Sequence, residues 1–519
     1  MSAVMRTTSI SELLSRMAGE WRSVRSIYGI PEETIRDADA LARTSPGFDF
    51  FGTRVSLPVG PAAGPHSQIA PNIVASWLAG ARVVELKTVQ EMDRLEIEKP
   101  CIDALDEGRN TEWSTELSLD EARGEYRRAW LAIRVLEALR APVDKPDPTA
   151  FVLSVGYTLA GVRGERVDGF IEKLRRPELD PEWERELEDA EREVSAPAFA
   201  FAFGAEAAAR AVAAVKALRA NPAERPVHSA ALSTMHGCLP EEIEAIARHL
   251  ISVKKLPLAV KLNPTLLGHD RVREILDRTR WGKIVINREA FGKDLQFGRA
   301  LELVASLGTA AREAGVGFGL KLSNTLAHEN ANTPLPGSEA YLSGRPLFPI
   351  TTRLAAELAA ALAAPPPFSF SAGVSARNAA ACVQAGLGPL TTATELLKPG
   401  GYQRLTEIAR AASGALASAP ARPDAKALAA LAEAALADPD YSSERKRGRA
   451  SISKALPRFD CFVAPCVEAC PANQDAPGYI RSGGAGRAAE AFDIVKDRNA
   501  LPFITGVLCD HVCQTACSR

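Results

Sequence analysis

Long apolar runs are missing from this 519-residue sequence. The most apolar helix-like stretch, Leu354 to Ala364, is interrupted by Glu357 and stopped by Pro365-Pro366-Pro367. It is too short to cross a bilayer, so no membrane span is expected. Charge of one sign is missing too. Lys and Arg total 62 against 64 Asp and Glu, a formal net charge of −2. Nothing in that balance argues for nucleic acid or anionic lipid as a partner. The opening residues, MSAVMRTTSISELLSRMAGE, hold no apolar core and no small-residue cleavage site, so no secretory signal is read. Nucleotide motifs are absent. GVGFGL (315–320) runs into a strand and SGGAGRAA (482–489) falls in a cysteine-rich tail, so no G-x-G-x-x-G opens a helix after a strand. There is no P-loop. FAD and NADPH are therefore expected only on a partner subunit or on a C-terminal half outside this sequence. A cytoplasmic protein is the expectation. In that reducing setting clustered cysteines bind metal or do redox work more often than they form structural disulfides.

Cysteine is what the tail has in plenty. Six of the nine thiols fall there, as Cys461-x4-Cys466-x3-Cys470-Pro471 and Cys509-x3-Cys513-x3-Cys517. Short runs closed by Cys-Pro wrap iron–sulfur cubanes, because thiolate sulfur donates to iron in both oxidation states. Zinc is the alternative. It usually shows paired C-x2–4-C knuckles, whereas both halves here are overlapping triples. One or two [4Fe-4S] clusters are expected, on Cys461, Cys466, Cys470, Cys509, Cys513 and Cys517. Cys101 and Cys382 read as core residues.

The rest of the chain divides by pattern. Residues 1–45 are polar and helix-prone. From 46 to 412, short apolar runs alternate with helical stretches. The runs are VSLPVGPAAG (55–64), VVELKTV (83–89), FVLSVGY (151–157), SAALST (229–234), LAVKLNP (258–264), KIVINRE (283–289), GFGLKLS (317–323), FSFSAGV (368–374) and PLTTAT (389–394). Continuous apolarity suits parallel strands buried on both faces. An α/β fold of the (β/α)8 barrel kind is predicted, with one of the nine runs as decoration. Residues 413–455 shift to Ala-rich helix and then to SSERKRGRAS, an exposed linker. Residues 456–519 form the cysteine module, its two halves joined by the helical GRAAEAFDIVKDRN.

The tail resembles the iron–sulfur domain of the glutamate synthase small subunit and of dihydropyrimidine dehydrogenase. The likeness rests on Cys461/Cys466/Cys470-Pro471 and on RNALPFITGVLCDHVCQTAC. It implies one cluster on Cys461, Cys466 and Cys517 and another on Cys470, Cys509 and Cys513. The pattern's further Cys is here Arg458, and six thiols are fewer than two cubanes ordinarily take. The family continues into a flavin domain, so a fragment or half of a split protein is expected.

The barrel run resembles the flavin barrel of dihydroorotate dehydrogenase and of dihydropyrimidine dehydrogenase. LPVGPAAG, ELKTV, VKLNP, LSNT, YLSGRPLFPIT, SAGVSARNA and TTATELL carry the likeness, and LSGRP makes LKLSNT the sixth strand and KIVINRE the extra segment. Barrel sites lie at the C-terminal ends of strands. There Ala63 and Gly64 would let backbone approach an FMN ring. Lys87 with Thr88 and Lys261 end the second and fifth strands, where a cation would stabilise an anionic reduced flavin. Asn324 would bond ring or substrate. Gly344, Gly373, Thr392 and Thr394 fall on the last loops, where barrels hold phosphate. Cys238, in STMHGCLPEEI, stands where relatives carry a proton-exchanging Cys or Ser. A helix N-terminus would lower its pKa, and His236 would assist.

No Asn ends the third or fourth strand, which argues against dihydroorotate or uracil itself. The polar insert 100–118, with Asp103, Asp106, Glu107, Asn110 and Trp113, is expected to lid the pocket. Insert, STMHGC loop and cysteine spacing together resemble the selenate reductase subunit family. The expectation is an iron–sulfur flavoprotein oxidoreductase component acting on a small pyrimidine- or purine-like heterocycle. Electrons would come from a flavin–nicotinamide partner. Cys238, His236 and Lys261 would do the chemistry. The alternative is a non-catalytic electron-transfer or scaffold subunit, without FMN, serving a partner such as a molybdenum enzyme.

Overall fold

The computed structural model describes residues 5–89, 97–98, 101–104, 108–111, 115–140, 149–156, 158–220, 225–233, 238–331, 335–443 and 464–515. Two compact units divide the chain, one from Thr7 to Arg458 and the other holding Phe459–Arg519 with Met1–Arg6.

The first unit is built on eight parallel strands: β1 (Val59–Pro61), β2 (Val83–Glu85), β3 (Ala150–Gly156), β4 (Val227–Ser233), β5 (Leu258–Leu262), β6 (Phe318–Leu322), β7 (Phe368–Phe370) and β8 (Leu387–Thr392). Each pairs with its neighbours in chain order, and β8 returns to β1. The ring closes where the Arg82 N–H donates to the Val59 carbonyl at 3.0 Å. Gly60 is needed at that seam, because a Cβ there would overlap the Val83 carbonyl. Every residue of β3 and β8 is buried. That is why their apolarity is continuous rather than alternating. KIVINRE forms no strand. It runs as coil to the helix Arg288–Lys293, and its Val285 carbonyl accepts from the Glu329 N–H at 2.9 Å.

Helices between the strands start and stop on local chemistry. Ser118 and Glu121 form a reciprocal capping box at the head of Leu119–Leu139. Gly315, at φ 70, ends Phe297–Ala314 in a left-handed turn. A hairpin, Phe48–Phe50 with Thr53–Val55, plugs the N-terminal end of the barrel. Phe50 and Val55 pack on Val83, Ala150, Val152 and Ala231. Cys382 is fully buried, as expected, whereas Cys101 is partly exposed and not a core residue. Asp424 caps the Ala-rich helix Ala425–Ala437. Ser442 and Ser443 are the described part of the SSERKRGRAS stretch.

The second unit is helical, with helices Pro465–Ala469, Ala476–Gly484, Ala488–Arg498, Pro502–Leu508 and Val512–Thr515. No helix of the described residues is long and apolar enough to cross a membrane.

Candidate active site and cluster ligands

A polar layer crosses the barrel interior just below its C-terminal mouth. The Lys321 ammonium on β6 bonds the Glu85 carboxylate on β2 and the Thr391 hydroxyl on β8, and lies 3.3 Å from the Ser369 hydroxyl on β7. Thr391 donates to Glu85 at 2.9 Å, and the Ala63 N–H donates to its other oxygen at 3.3 Å. One carboxylate thus ties the ends of β1, β2, β6 and β8. Burial by itself would raise the Glu85 carboxyl; Lys321 and Lys261 outweigh it and hold it below the usual range. Burial pushes the Lys261 ammonium down to about 8. Glu85 opposes that shift and Lys321 adds to it.

His66, in the loop after β1, was not singled out by the sequence. Its Nε2 lies 3.0 Å from the Ala62 carbonyl, so Nε2 carries the hydrogen and Nδ1 is a bare acceptor. Nδ1 is buried without a partner among the described residues. Burial pushes this imidazole down to about 4, the Ala62 bond opposing and Lys87 reinforcing the fall. Gly64 makes room for it, since a Cβ there would stand 2.7 Å from the ring. The one available sequence signal was the position of PHS, directly after LPVGPAAG.

Lys87 is buried near His66, and its carbonyl accepts from the Tyr126 hydroxyl at 2.7 Å. Asn324 donates through Nδ2 to Asn263 Oδ1 at 2.8 Å, and Asn263 donates to Asp294 at 3.2 Å. Asn263 and Asp294 were missed because they matter only once folded side by side. Gly344 and Gly373, at φ 81 and 62, meet backbone to backbone; a Cβ on Gly373 would stand 2.6 Å from the Gly344 carbonyl. Thr392 and Thr394 stand at the rim, but their hydroxyls are engaged by protein. Thr392 donates to the Val374 carbonyl at 3.0 Å, and Thr394 shares a 2.8 Å bond with Ser343. Thr88 serves through its backbone, its carbonyl accepting from the Thr115 N–H at 2.9 Å.

Cys238 corrects an expectation. Its thiol is partly exposed, and burial together with Glu242 raises its pKa rather than lowering it. The helix it precedes, Pro240–Arg248, opens with Glu241 and Glu242. Their charge cancels what the helix dipole would give a thiolate. His236 lies outside the described residues, as do Asp106, Glu107 and Trp113 of the insert.

The described part of the insert builds a cap. Ile102–Ala104 and Gly108–Asn110 join Glu339–Ser343 and Leu326–Glu329 in a four-stranded antiparallel sheet. Its segments leave the barrel after β2 and after β6, and Gly108 rests on Ser343 and Thr394 beyond β8. The sheet is therefore anchored at three points of the mouth's rim.

In the second unit the described cysteines converge. Cys513, Cys509, Cys470 and Cys466 all lie close enough to the Tyr479 phenol to raise its pKa, after burial. The short helices Pro465–Ala469 and Val512–Thr515, one from each cysteine run, pack together. The His511 N–H points at Cys509 Sγ, 3.4 Å away. Four soft sulfur donors gathered near one phenol fit iron–sulfur ligation. Among the described residues no three His, Cys, Asp or Glu close on a point as a single metal ion needs. Cys461 and Cys517 lie outside the described residues.

Comparison with known proteins follows this division. Residues 28–443 match the family described as oxidoreductase YgfK, N-terminal TIM-barrel domain. Residues 442–519 match dihydropyrimidine dehydrogenase domain II, 4Fe-4S cluster. The chain is 44% identical over its whole length to the Escherichia coli K12 protein named as an oxidoreductase, YgfK. It spans about half of that relative's length, 50%. A stretch of 61 residues is 42% identical to the NADPH-Fe(3+) oxidoreductase subunit beta of Geobacter sulfurreducens, 12% of this chain and 9% of that one. A stretch of 79 residues is 38% identical to the NADP(+)-dependent formate dehydrogenase subunit beta of Moorella thermoacetica, 15% and 11% of the two chains. With a barrel matched over most of its length and a 4Fe-4S domain behind it, this chain belongs to the YgfK oxidoreductase family.

Proposed function

We propose that the chain is an oxidoreductase component in which [4Fe-4S] clusters on the cysteine unit exchange electrons with an FMN-type flavin in the barrel, and through it with a small heterocycle at the mouth. The observation that carries this reading is the gathering of lysines there. Lys261 and Lys321 act on the buried Glu85 carboxylate, and Lys87 lies near His66 in the loop after β1. A site so charged suits an anionic ring system and its phosphate. The positive-φ pair Gly344 and Gly373 supplies backbone without side chains beside it. Bound there, FMN would supply hydride transfer and the exchange between one-electron and two-electron steps.

The chain's own residues have definite tasks on this reading. Lys261 stabilises negative charge at the mouth. Glu85 and Lys321 hold the layer beneath in register. Asn324, steadied by Asn263, orients a planar ligand by hydrogen bonding. Cys238 keeps its proton at neutral pH because its thiol pKa is raised, so it has a proton to give at Sγ. The cap excludes water. Cys461, Cys466 and Cys517 would ligate one cluster and Cys470, Cys509 and Cys513 the other. The names of the two short-range relatives support a nicotinamide-linked electron source. It would sit on a partner subunit or on further polypeptide.

A second reading, an electron-transfer subunit whose barrel holds no flavin, draws on Thr392 and Thr394, whose hydroxyls have protein partners. Anaerobic purification with measurement of flavin, iron and acid-labile sulfide separates the two. Flavin near one per chain alongside iron and sulfide supports the enzyme. Iron and sulfide without flavin, even after incubation with FMN, sinks it.

A further inference from the structure

Residues 438–443 form the root of the chain that leads from the barrel to the cysteine unit. Ser442 and Ser443 fall in both matched domains, 28–443 and 442–519. Boundaries between domains ordinarily fall where the chain makes few contacts. Here the opposite holds. Asp438 caps the single turn Pro439–Tyr441, its Oδ1 accepting from the Asp440 N–H at 2.9 Å. The Ser443 N–H donates to the Thr279 carbonyl at 3.1 Å, and Trp281 Nε1 donates to the Tyr441 carbonyl at 2.8 Å. The Tyr441 ring is 4% exposed and stacks on Phe348, with centroids 4.7 Å apart and planes at 11°.

The same stretch holds both members of the positive-φ glycine pair. Gly344 follows the cap strand Glu339–Ser343, and Gly373 follows β7. Arg345, the residue after Gly344, donates from Nη1 to the Asp440 carbonyl and, at 3.0 Å, to the Ser442 carbonyl. Its guanidinium lies over the Trp281 ring, 5.4 Å from the centroid. Asn378 serves Gly373. Its Oδ1 accepts from the Ser375 N–H at 2.9 Å. Its Nδ2 donates to the Gly373 carbonyl at 2.9 Å and to the Tyr441 hydroxyl oxygen at 3.1 Å. The amide has one orientation here, because a backbone N–H only donates and a carbonyl only accepts. Each glycine is therefore tied to the linker root through one side chain, Arg345 or Asn378.

We propose that Tyr441, acting through Asn378, is a positioning residue for the Gly344–Gly373 pair, holding it in the geometry that takes a phosphate monoester, and that phosphate bound there tightens the linker root in return. The proposal rests on the FMN reading above. It adds a link between phosphate at the barrel mouth and the chain that leads to the cysteine unit. A backbone pair binds an anion best when it already points at it, since a loop that must first be ordered gives up part of the binding energy. The coupling is reciprocal: if docking of 438–443 favours phosphate binding, phosphate favours docking by the same factor. The effect falls on FMN and spares riboflavin, which has the same ring system and no phosphate.

Quenching of flavin fluorescence by the full chain, freed of bound flavin and kept anaerobic, gives affinities for FMN and riboflavin. The wild type should favour FMN by about tenfold or more. Tyr441→Phe keeps the stack on Phe348 and removes the oxygen that Asn378 bonds. It should lower the preference by about threefold to fivefold and leave riboflavin binding unchanged. Tyr441→Leu removes the stack as well and should lower the preference further. Deuterium exchange of the wild type gives a second readout. The amides of Tyr441, Ser442 and Ser443 donate to the Asp438, Pro439 and Thr279 carbonyls. FMN should slow exchange in the peptide that carries them, and riboflavin should not. An unchanged FMN preference in both variants, an equal loss of affinity for the two flavins, or equal exchange with either flavin overturns the proposal and leaves the FMN reading standing. Binding of neither flavin by the wild type overturns the FMN reading and the proposal with it.

Discussion

Glu85 and Lys321 meet inside the barrel from opposite walls. β2 and β6 stand four places apart in a ring of eight, and the two residues are 236 positions apart in sequence. Their side chains are 6% and 2% exposed. Such a pair is weak as a source of net stability, but breaking it leaves a buried charge without compensation. Here the same carboxylate also faces Lys261, so its loss is felt twice.

Glu85→Gln is expected to destabilise the barrel by about 3–5 kcal/mol, the usual cost of orphaning a buried ion. Lys321→Met should cost a similar amount. The double variant should cost less than the sum of the two. Urea unfolding of all four proteins gives the coupling. Strict additivity would show that the two groups do not interact.

His66 makes the fold sensitive to acid. Its folded pKa of about 4 lies below the ordinary 6.5. Between these values the unfolded chain binds the proton and the folded chain does not. Stability is therefore full above about pH 6.5 and falls as pH drops toward 4. His66→Gln keeps an N–H for the Ala62 carbonyl and cannot titrate. Its stability should decline less than the wild type's between pH 6.5 and 4, as read from denaturation midpoints. Parallel decline would remove His66 from the account.

Gly373→Ala should lower stability by about 1–3 kcal/mol, the range for a non-glycine residue held in a disfavoured backbone conformation. Both the left-handed φ and the Gly344 carbonyl, 2.6 Å from the added Cβ, oppose the methyl. Flavin retention, measured on gel-filtered protein, should fall with it. A variant as stable and as flavin-loaded as wild type would contradict this.

Serine at Cys466, Cys470, Cys509 or Cys513 should each cost iron and sulfide, since an alcohol is a poor cluster ligand beside a thiolate. Cys101→Ser, in the barrel unit, should cost none. Iron analysis and electron paramagnetic resonance of reduced protein give the result. Full iron in any of the four variants would remove that residue from the ligand set.

Much of the architecture was legible because it is written in local pattern. Doubly buried strands demand unbroken apolar runs, so eight of nine candidates became the barrel. KIVINRE, equally apolar, lacked a place in the ring and stayed coil. The helix in GRAAEAFDIVKDRN showed its spacing. Cysteine offsets are likewise local, and the matched 4Fe-4S domain, residues 442–519, holds both cysteine runs. The insert 100–118 was expected to lid the pocket; the sheet formed by its described part draws half of its strands from residues 326–343.

Local order carries the periodicity of burial and the spacing of thiols, because both depend on neighbours a few residues away; hence the barrel, the cysteine tail and the candidate loops are legible in the residues alone. Charge balance inside the barrel, the acceptor nitrogen of His66, and the rise of the Cys238 pKa belong to the folded chain alone. Each depends on which groups from distant segments share a water-poor space, and on whether a partner lies within a few ångströms. That information exists only once the strands have closed on one another.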